Sequence, residues 1–534
     1  MNHPNVYLHE LDSNIPRLLA LFDTNPLSLS YGEGDRFHWA WKLMDFGNGT
    51  FQGAANGLAR LRMLELLPDK IDPKAIDQRI AACFIGAKHL CRNNGSMEEA
   101  FPYESSFCVT ALVAYDLLTS IELQGNLLGE KERDERLRVV APMIHFLHKA
   151  DEHHAFISNH LATAAAALYK WHHLTSESGE KRGWSILNRV LKQQSEEGWY
   201  EEYGGADPGY QSLCTYYLAD LHRLRPDLNL GPSLSRSIRF LWHFAHPDGS
   251  FGGIYGSRHT RLYYPAGIEY LASECPEASK LAAFMRESIA NQTTVTLSAM
   301  DAPNLVPMFN AYTWAAALRC RESEQKVVGE DLNLPALKES YRAEFPKAGL
   351  YIRSGKTGYT VVNVGKGGVL LHSDRTTGCV TVNGGVVARD AKGRHFSTQA
   401  LRPGIKIEIS TERIVVTSPF YAVHHRLPKP WQFVMFRLLN ITMMRSLWIG
   451  YLIKKLLVKI LITGGRPLKS KVQRTIIWGV NGPEITDKWE LAKSEKLMPV
   501  EVLGDFSTIH MASQGYWQKQ DDSTKTDKSN DLQK

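Results

Sequence analysis

A turn signal that returns about every fifty residues constrains this chain more than any other feature. Asn48-Gly49, Asn94-Gly95, Glu197-Gly198 and Asp248-Gly249 stand 46, 103 and 51 residues apart, and the long interval is about twice the others. Asp151-Glu-His-His-Ala-Phe fills its middle and Asp301-Ala-Pro-Asn lies one interval beyond the last, so turns fall near 48, 94, 151, 198, 249 and 302. Each is followed by a loop rich in aromatic or polar residues, then by an apolar segment at helical spacing: 54–67, 106–118, 159–171, 212–224, 265–272 and 310–318. Helical segments over 76–91, 137–148, 184–194 and 235–244 precede several of the turns. A hairpin of this kind cannot bury its apolar face alone, so neighbours must stack. The repeat predicts an (α/α)6 toroid over residues 1–345, with an open helical solenoid as the alternative.

From about residue 350 the period changes. Thr357-Gly-Tyr-Thr-Val-Val-Asn-Val, Gly368-Val-Leu-Leu, Cys379-Val-Thr-Val, Ile405-Lys-Ile-Glu-Ile and Arg413-Ile-Val-Val-Thr are β-branched runs of strand length, separated by Gly, Asn and Asp. Thr475-Ile-Ile-Trp-Gly-Val and Val500-Glu-Val-Leu continue them, and Asn383-Gly384 is a tight-turn signal. The fold class is therefore a multidomain α and β chain: an N-terminal (α/α)6 toroid followed by an antiparallel β-sandwich over 346–515, with a polar, disordered tail over 516–534.

The segment 431–463 fits neither half. Its apolar density is high, but Arg437, Arg445, Lys454, Lys455 and Lys459 keep any uncharged run below the roughly 18 residues of a spanning helix. On a helical wheel Arg437, Arg445, Lys455 and Lys459 share one side and Lys454 lies off it. This basic amphipathic segment, with Trp448 and Tyr451 inside it, suits the surface of an anionic membrane; the competing reading is a helix pair that covers the sandwich. The N-terminus lacks the basic and apolar regions of a secretory signal, so the expected location is cytoplasmic, peripheral on the inner face of the membrane. A net charge of +6 without an aromatic-interleaved basic run argues against nucleic acid, and seven scattered cysteines without a CxxC pair read as reduced.

Chemistry concentrates in three consecutive loops. Ser158 is placed to cap a helix, which puts Asn159 and His160 in its first turn, with an alanine run behind them that lets inner helices approach. The next loop, Gly198-Trp-Tyr-Glu-Glu-Tyr-Gly-Gly-Ala-Asp-Pro-Gly-Tyr-Gln211, supplies Trp199, Glu202, Tyr203 and Tyr210. The third supplies Tyr255, Arg258, His259 and Arg261 among glycines that admit a ligand to the backbone. An Asn, a His, a Tyr and an Arg on one rim suit proton abstraction beside a carboxylate. Removing the C5 hydrogen of a uronic acid builds an enediolate, which needs a neutral or positive partner on the carboxyl group and a base at the carbon. Asn159 and Arg258 fit the first role, and Tyr210 with His160 or His259 the second. A tyrosine is a poor base near neutral pH unless a guanidinium such as that of Arg258 or Arg261 lowers its pKa. Trp199, Glu202, Tyr203 and Tyr255 are expected substrate contacts.

A toroid followed by a β-sandwich, with Asn159-His160 heading a helix and Asp207-Pro-Gly-Tyr210 in place of a Ser-Pro-x-Tyr-like element, resembles the heparinase II/III and alginate lyase superfamily. That resemblance implies an Asn or His, a Tyr and a further His around an acidic sugar, roles that fall here to Asn159, His160 and Tyr210, with His259 as a fourth. The family's β domain carries a His-x-His-x-x-Asp-like element, of which Leu371-His-Ser-Asp374 is an incomplete match; zinc on His372, Asp374 or His395 is the only cofactor it suggests. The expected partner is an acidic polysaccharide or a lipid-linked glycan.

The same enediolate leads to a lyase if the 4-linked sugar leaves, or to a C5-epimerase if it is reprotonated from the other face; Trp199-Tyr-Glu-Glu-Tyr203 also resembles a stretch of glucuronyl epimerases. Glu201, Glu202 and Asp207 admit a glycoside hydrolase. Gln194-Ser-Glu-Glu-Gly-Trp199 and Pro247-Asp-Gly-Ser-Phe-Gly-Gly253 resemble terpene cyclase and prenyltransferase repeats, without the Asp-rich motif those enzymes need. A non-catalytic toroid that holds a lipid-linked glycan completes the set.

Overall fold

The computed structural model describes residues 5–509 apart from 154, 322–332, 403, 424–428, 459–465, 480–481 and 503–504, so the expected tail over 516–534 lies outside the described residues. Its first part is helical: α1 (Val6–Leu19), α2 (Ala54–Met63), α3 (Pro73–Leu90), α4 (Phe107–Gln124), α5 (Glu130–Lys149), α6 (Ser158–Thr175), α7 (Glu180–Gln193), α8 (Pro208–Leu224), α9 (Gly231–Leu241), α10 (Pro265–Leu271), α11 (Pro276–Ala290) and α12 (Ala302–Arg321). The six segments expected after the turns are the even-numbered helices. Each packs on the next, from α2 through α4, α6, α8 and α10 to α12, and α12 packs back on α2. The odd-numbered helices lie outside them, with α3, α5, α7, α9 and α11 against α2, α4, α6, α8 and α10.

The sequence repeat assigned no helix ahead of the turns near 48 and 302, and α1 and α11 fill those places. The first helix packs on α12, so the two ends of the helical part meet. Asn5 Nδ2 donates to the Ala316 carbonyl at 2.9 Å, and the Tyr7 hydroxyl donates to Glu269 Oε1 at 2.6 Å. Inner helices are apolar on nearly every side because both neighbours and an outer helix cover them. Among the described residues only 107–127, α4 and its following turn, is long and apolar enough to cross a membrane, and most of it is buried in this core. In α6 the buried run Ala164–Ala167 lets α4 and α8 approach from both sides.

Among the described residues thirteen strands follow, all paired antiparallel. One sheet has the order β1-β2-β3-β4-β5, formed by β1 (Tyr341–Phe345), β2 (Leu350–Ser354), β3 (Gly358–Asn363), β4 (Val369–Asp374) and β5 (Val380–Asn383). A second is built from β6 (Val387–Arg389), β7 (His395–Ser397), β10 (Tyr421–Ala422) and β13 (Met498–Val500), in the order β10-β7-β6-β13. A third, β12-β11-β9-β8, contains β8 (Lys406–Ile409), β9 (Arg413–Pro419), β11 (Lys471–Gly479) and β12 (Gly482–Glu490). The sheet region starts at Tyr341, slightly ahead of the expected boundary at 346.

Alternation along β3 and β4 explains the layering. Tyr359, Val361, Val369 and Leu371 join the helical core, whereas Val362 and Leu370 pack against Ile414, Val416 and Ile476 of the third sheet. The first sheet is thus covered on both faces, which is why its central strands read as continuous apolar runs. Asn383-Gly384 does not close a hairpin. The strand before it pairs with β4 and the strand after it pairs with β7 and β13, so the turn carries the chain from one sheet to another.

Over its described residues the segment 431–463 forms α13 (Pro430–Ile441) and α14 (Leu447–Val458), which lie against the helical part. Phe436 meets Phe101 edge to face, Arg437 pairs with Asp45 at 2.8 Å, and the Arg445 guanidinium lies over the Tyr103 ring. Lys454 pairs with Glu104 at 2.7 Å and Tyr451 meets His153. Of the four cations expected on one outward face, Arg437 and Arg445 engage the helical part although Arg445 stays exposed, Lys455 is exposed and Lys459 lies outside the described residues; Lys454, expected off that face, is the one most covered by the protein.

Candidate active site

The first turn of α6 orients two side chains through two carboxylates. Ser158 does not cap the helix; Ile157 occupies the N-cap position, and both the amide and hydroxyl of Ser158 donate to the Glu201 carbonyl, at 3.1 and 2.7 Å. This ties α6 to the Gly198–Gln211 loop, as does an antiparallel bridge between Ile157 and Glu202. Asn159 Nδ2 then donates to Glu202 Oε2 at 2.9 Å, and His160 Nδ1 lies 2.7 Å from Glu152 Oε2. Asn159, Glu152 and Glu202 are buried and His160 is half-buried.

Glu202 was expected to contact substrate. The structure makes it an internal acid instead: burial, with the nearby charge of Asp207, raises its pKa well above the usual carboxylate range, and Asn159 and Arg258 oppose that rise only in part.

Asp207 clamps the second and third loops together. It is the N-cap of α8, accepting the Tyr210 amide at 3.1 Å, and its other oxygen accepts the Arg258 amide at 2.9 Å. The Thr260 hydroxyl donates to it as well. Pro208 suits the first helical position, and Gly209 is required by crowding, since a Cβ there would stand 2.1 Å from Thr260 Oγ1. The Asp-Pro-Gly-Tyr string is thus a helix start shaped to receive the neighbouring loop, and Asp207 is withdrawn from any role as a solvent-facing acid. Tyr210 sits half-buried in the first turn of α8, packed against the core.

In the third loop, Arg258 stacks on Tyr203, its guanidinium 4.5 Å from the ring centre. Burial nevertheless raises the Tyr203 pKa, with Arg258 only opposing it. His259 holds a left-handed backbone, φ 59°, and its Nε2 lies 3.0 Å from Asp505 Oδ2, which also accepts from Arg261 at 2.6 Å. Burial lowers the His259 pKa, and Asp505 resists that shift. Arg258 thus stacks on Tyr203 and Arg261 pairs with Asp505.

Two expected contacts are employed elsewhere. Tyr255 is fully buried, its hydroxyl 2.8 Å from His246 Nε2. Trp199 donates to Glu197, whose carboxylate accepts the Lys347 and Ala348 amides and so joins the loop to the sheets.

The sequence matches no known family profile and no curated protein. Among solved structures it is similar to cellobiose 2-epimerase from Bacillus thermoamylovorans B4167, at 9% identity over 59% of this chain and 100% of that one, with a TM-score of 0.43. A sugar epimerase from a ruminal bacterium gives 11% identity over 59% and 98%, TM-score 0.42. A family 76 glycoside hydrolase from a bovine Bacteroides thetaiotaomicron strain gives 9% over 60% and 79%, TM-score 0.39. Likeness of this order leaves the chemistry to be argued from the residues of this chain.

Sequence reasoning missed three groups that shape the site. Glu152 lay in a stretch read only as a turn marker, although it stands eight residues before His160, within reach of the next helix start. Asp505 follows the last strand with no pattern around it. Lys366 stands in Val364-Gly-Lys-Gly-Gly368, where flanking glycines were the available signal. Its Nζ donates to the Ile254 and Gly256 carbonyls, each at 2.7 Å, and so fastens the sheet to the third loop.

Burial lowers the Lys366 pKa from its ordinary 10.5 to about 7, against the pull of Asp207 and Asp505. A neutral amine still has two hydrogens for the two carbonyls. The folded chain releases this proton near pH 7 and the unfolded chain keeps it to about 10.5, so Lys366 favours folding increasingly as pH rises between those values. Urea titrations from about pH 6 to about pH 9 should show the stability of the wild type rising relative to Lys366→Met; a difference that stays flat would contradict the buried neutral amine.

The residues suggested for zinc are divided. His372 on β4 lies 2.8 Å from the Thr360 hydroxyl, Asp374 accepts the Thr376 and Thr377 amides, and His395 is on β7 of another sheet. No cluster of three or more potential ligands occurs among the described residues.

Proposed function

We propose that this chain is a carbohydrate-active enzyme that removes the C5 proton of a uronic acid in an acidic glycan, as a polysaccharide lyase of the heparinase II/III-like kind built on an (α/α)6 toroid. The observation that carries this reading is the paired orientation of Asn159 by buried Glu202 and of His160 by Glu152. A carboxylate on Nδ1 fixes the tautomer that presents Nε2 as the base, the arrangement that general base catalysis by histidine requires. Asn159, a neutral donor backed by an acid, suits the uronate carboxyl group as charge builds on it. Arg258 and Arg261 add positive charge beside it, and Tyr210, at the start of α8, is the candidate acid for the leaving oxygen.

A uronate C5-epimerase is the second reading. It is favoured by the two acid–base candidates standing on separate helices, His160 on α6 and Tyr210 on α8, since inversion needs one group to take the proton and another to return it. A panel of uronate-containing oligosaccharides tests both. Ultraviolet absorbance of an unsaturated uronate identifies the lyase, and a changed C5 configuration in an uncleaved chain identifies the epimerase. Glycan binding with neither change, equally strong in Tyr210→Phe, would leave only a binding protein.

A further inference from the structure

The α13–α14 pair ties most of its cations to the helical part and leaves a row of hydrocarbon exposed. Arg437, Arg445 and Lys454 engage Asp45, Tyr103 and Glu104 of the helical part. Burial opposes the charge on Lys454, but Glu104, Glu152 and Glu99 outweigh it and raise its pKa, so the cation is held in the protein. On the other side Trp431, Val434 and Leu438 recur at helical spacing on α13, 62%, 60% and 49% exposed, and Trp448 and Leu452 on α14 are 73% and 54% exposed. The Arg437–Asp45 pair brings the preceding turn alongside, with Trp41 67% exposed and Leu43 wholly so. Isolated exposed apolar residues need no explanation, but a continuous set on adjoining elements does.

The chemistry of the rim selects the occupant. No Asp or Glu occurs between 429 and 458; the exposed charges there are Lys429, Arg445 and Lys455, and the adjoining turn adds Lys42 and Asp45, the latter paired with Arg437. Tryptophans among aliphatic side chains, edged by lysine, match the boundary between acyl chains and anionic headgroups. We propose that this face seats the protein on an anionic phospholipid bilayer by inserting apolar side chains, with the lysines as a minor electrostatic contribution. This goes beyond the sugar chemistry above and stands without it.

Flotation of the full chain with phosphatidylcholine–phosphatidylglycerol vesicles tests the proposal. Wild type should float and retain most of its binding in about 0.5 M salt, where exposed charges are screened within about 4 Å. A variant carrying Val434→Gln, Leu438→Gln, Trp448→Gln and Leu452→Gln should lose about tenfold or more in partitioning, because each substitution removes buried hydrocarbon. Trp41→Gln with Leu43→Gln, which alters neither helix, should weaken flotation as well. Wild type that stays at the bottom of the gradient, binding abolished by salt, or variants that float like wild type would each overturn the proposal. So would a wild-type dimer that the variants cannot form and that does not float, since a second copy would then cover the face.

Discussion

An Asp207→Ala chain is expected to lose about 3–5 kcal/mol of stability, read as a lower urea midpoint with an unchanged slope. Removing an N-cap carboxylate alone costs about 0.5–2 kcal/mol. Here the same side chain also accepts the Arg258 amide and the Thr260 hydroxyl, both buried, and each donor left unmatched adds about 1–3 kcal/mol. Asp207→Asn keeps part of the accepting capacity and should fall between the two. A loss below about 1 kcal/mol in the alanine variant would mean that the loops hold together without Asp207.

His160→Ala is expected to lower kcat/KM on a uronate substrate by about 10²–10⁴-fold, the usual contribution of a positioned general base. The side chain is half-buried at a helix start, so the fold should survive with a modest change in melting temperature. Glu152→Gln separates positioning from chemistry. Glu152 holds His160 Nδ1 but is not itself placed to take the proton, so this variant should shift the pH profile and lower kcat more than it raises KM. If His160→Ala retained full activity while binding weakened, His160 would be a contact rather than the base.

Helical repeat and strand pattern were legible because both are set by backbone periodicity. The apolar segments after the turns near 48, 94, 151, 198, 249 and 302 are α2, α4, α6, α8, α10 and α12, and the β-branched runs after residue 350 fall in antiparallel sheets. The pairing of α1 with α12 was not legible, since it joins residues about 300 positions apart and leaves no local mark. Asn383-Gly384 misled for a related reason: a turn signal says that the chain reverses locally, not which strands then pair.

In the site, the order of the loops placed Asn159 and His160 on the correct helix turn, but not their partners. Glu152, Glu202, Lys366 and Asp505 act through burial and through contacts between loops, and charge on paper does not reveal which carboxylate will be dry. Glu202 shows the point, reading as a substrate contact beside Glu201 yet buried on Asn159. The amphipathic segment shows it again. Its cations were legible, but the direction they face was decided by Asp45 and Glu104, some 350 or more residues away in sequence.

Deuterium exchange at C5 tests the central claim most directly. Uronate oligosaccharides incubated with wild type in deuterated water, then examined by proton NMR and mass spectrometry, should lose the C5 hydrogen, either into an unsaturated product or with deuterium in an intact chain. His160→Ala should show neither. Turnover of the glycan by wild type with the C5 hydrogen retained would contradict proton abstraction at this site and point to the carboxylates as agents of glycosidic hydrolysis.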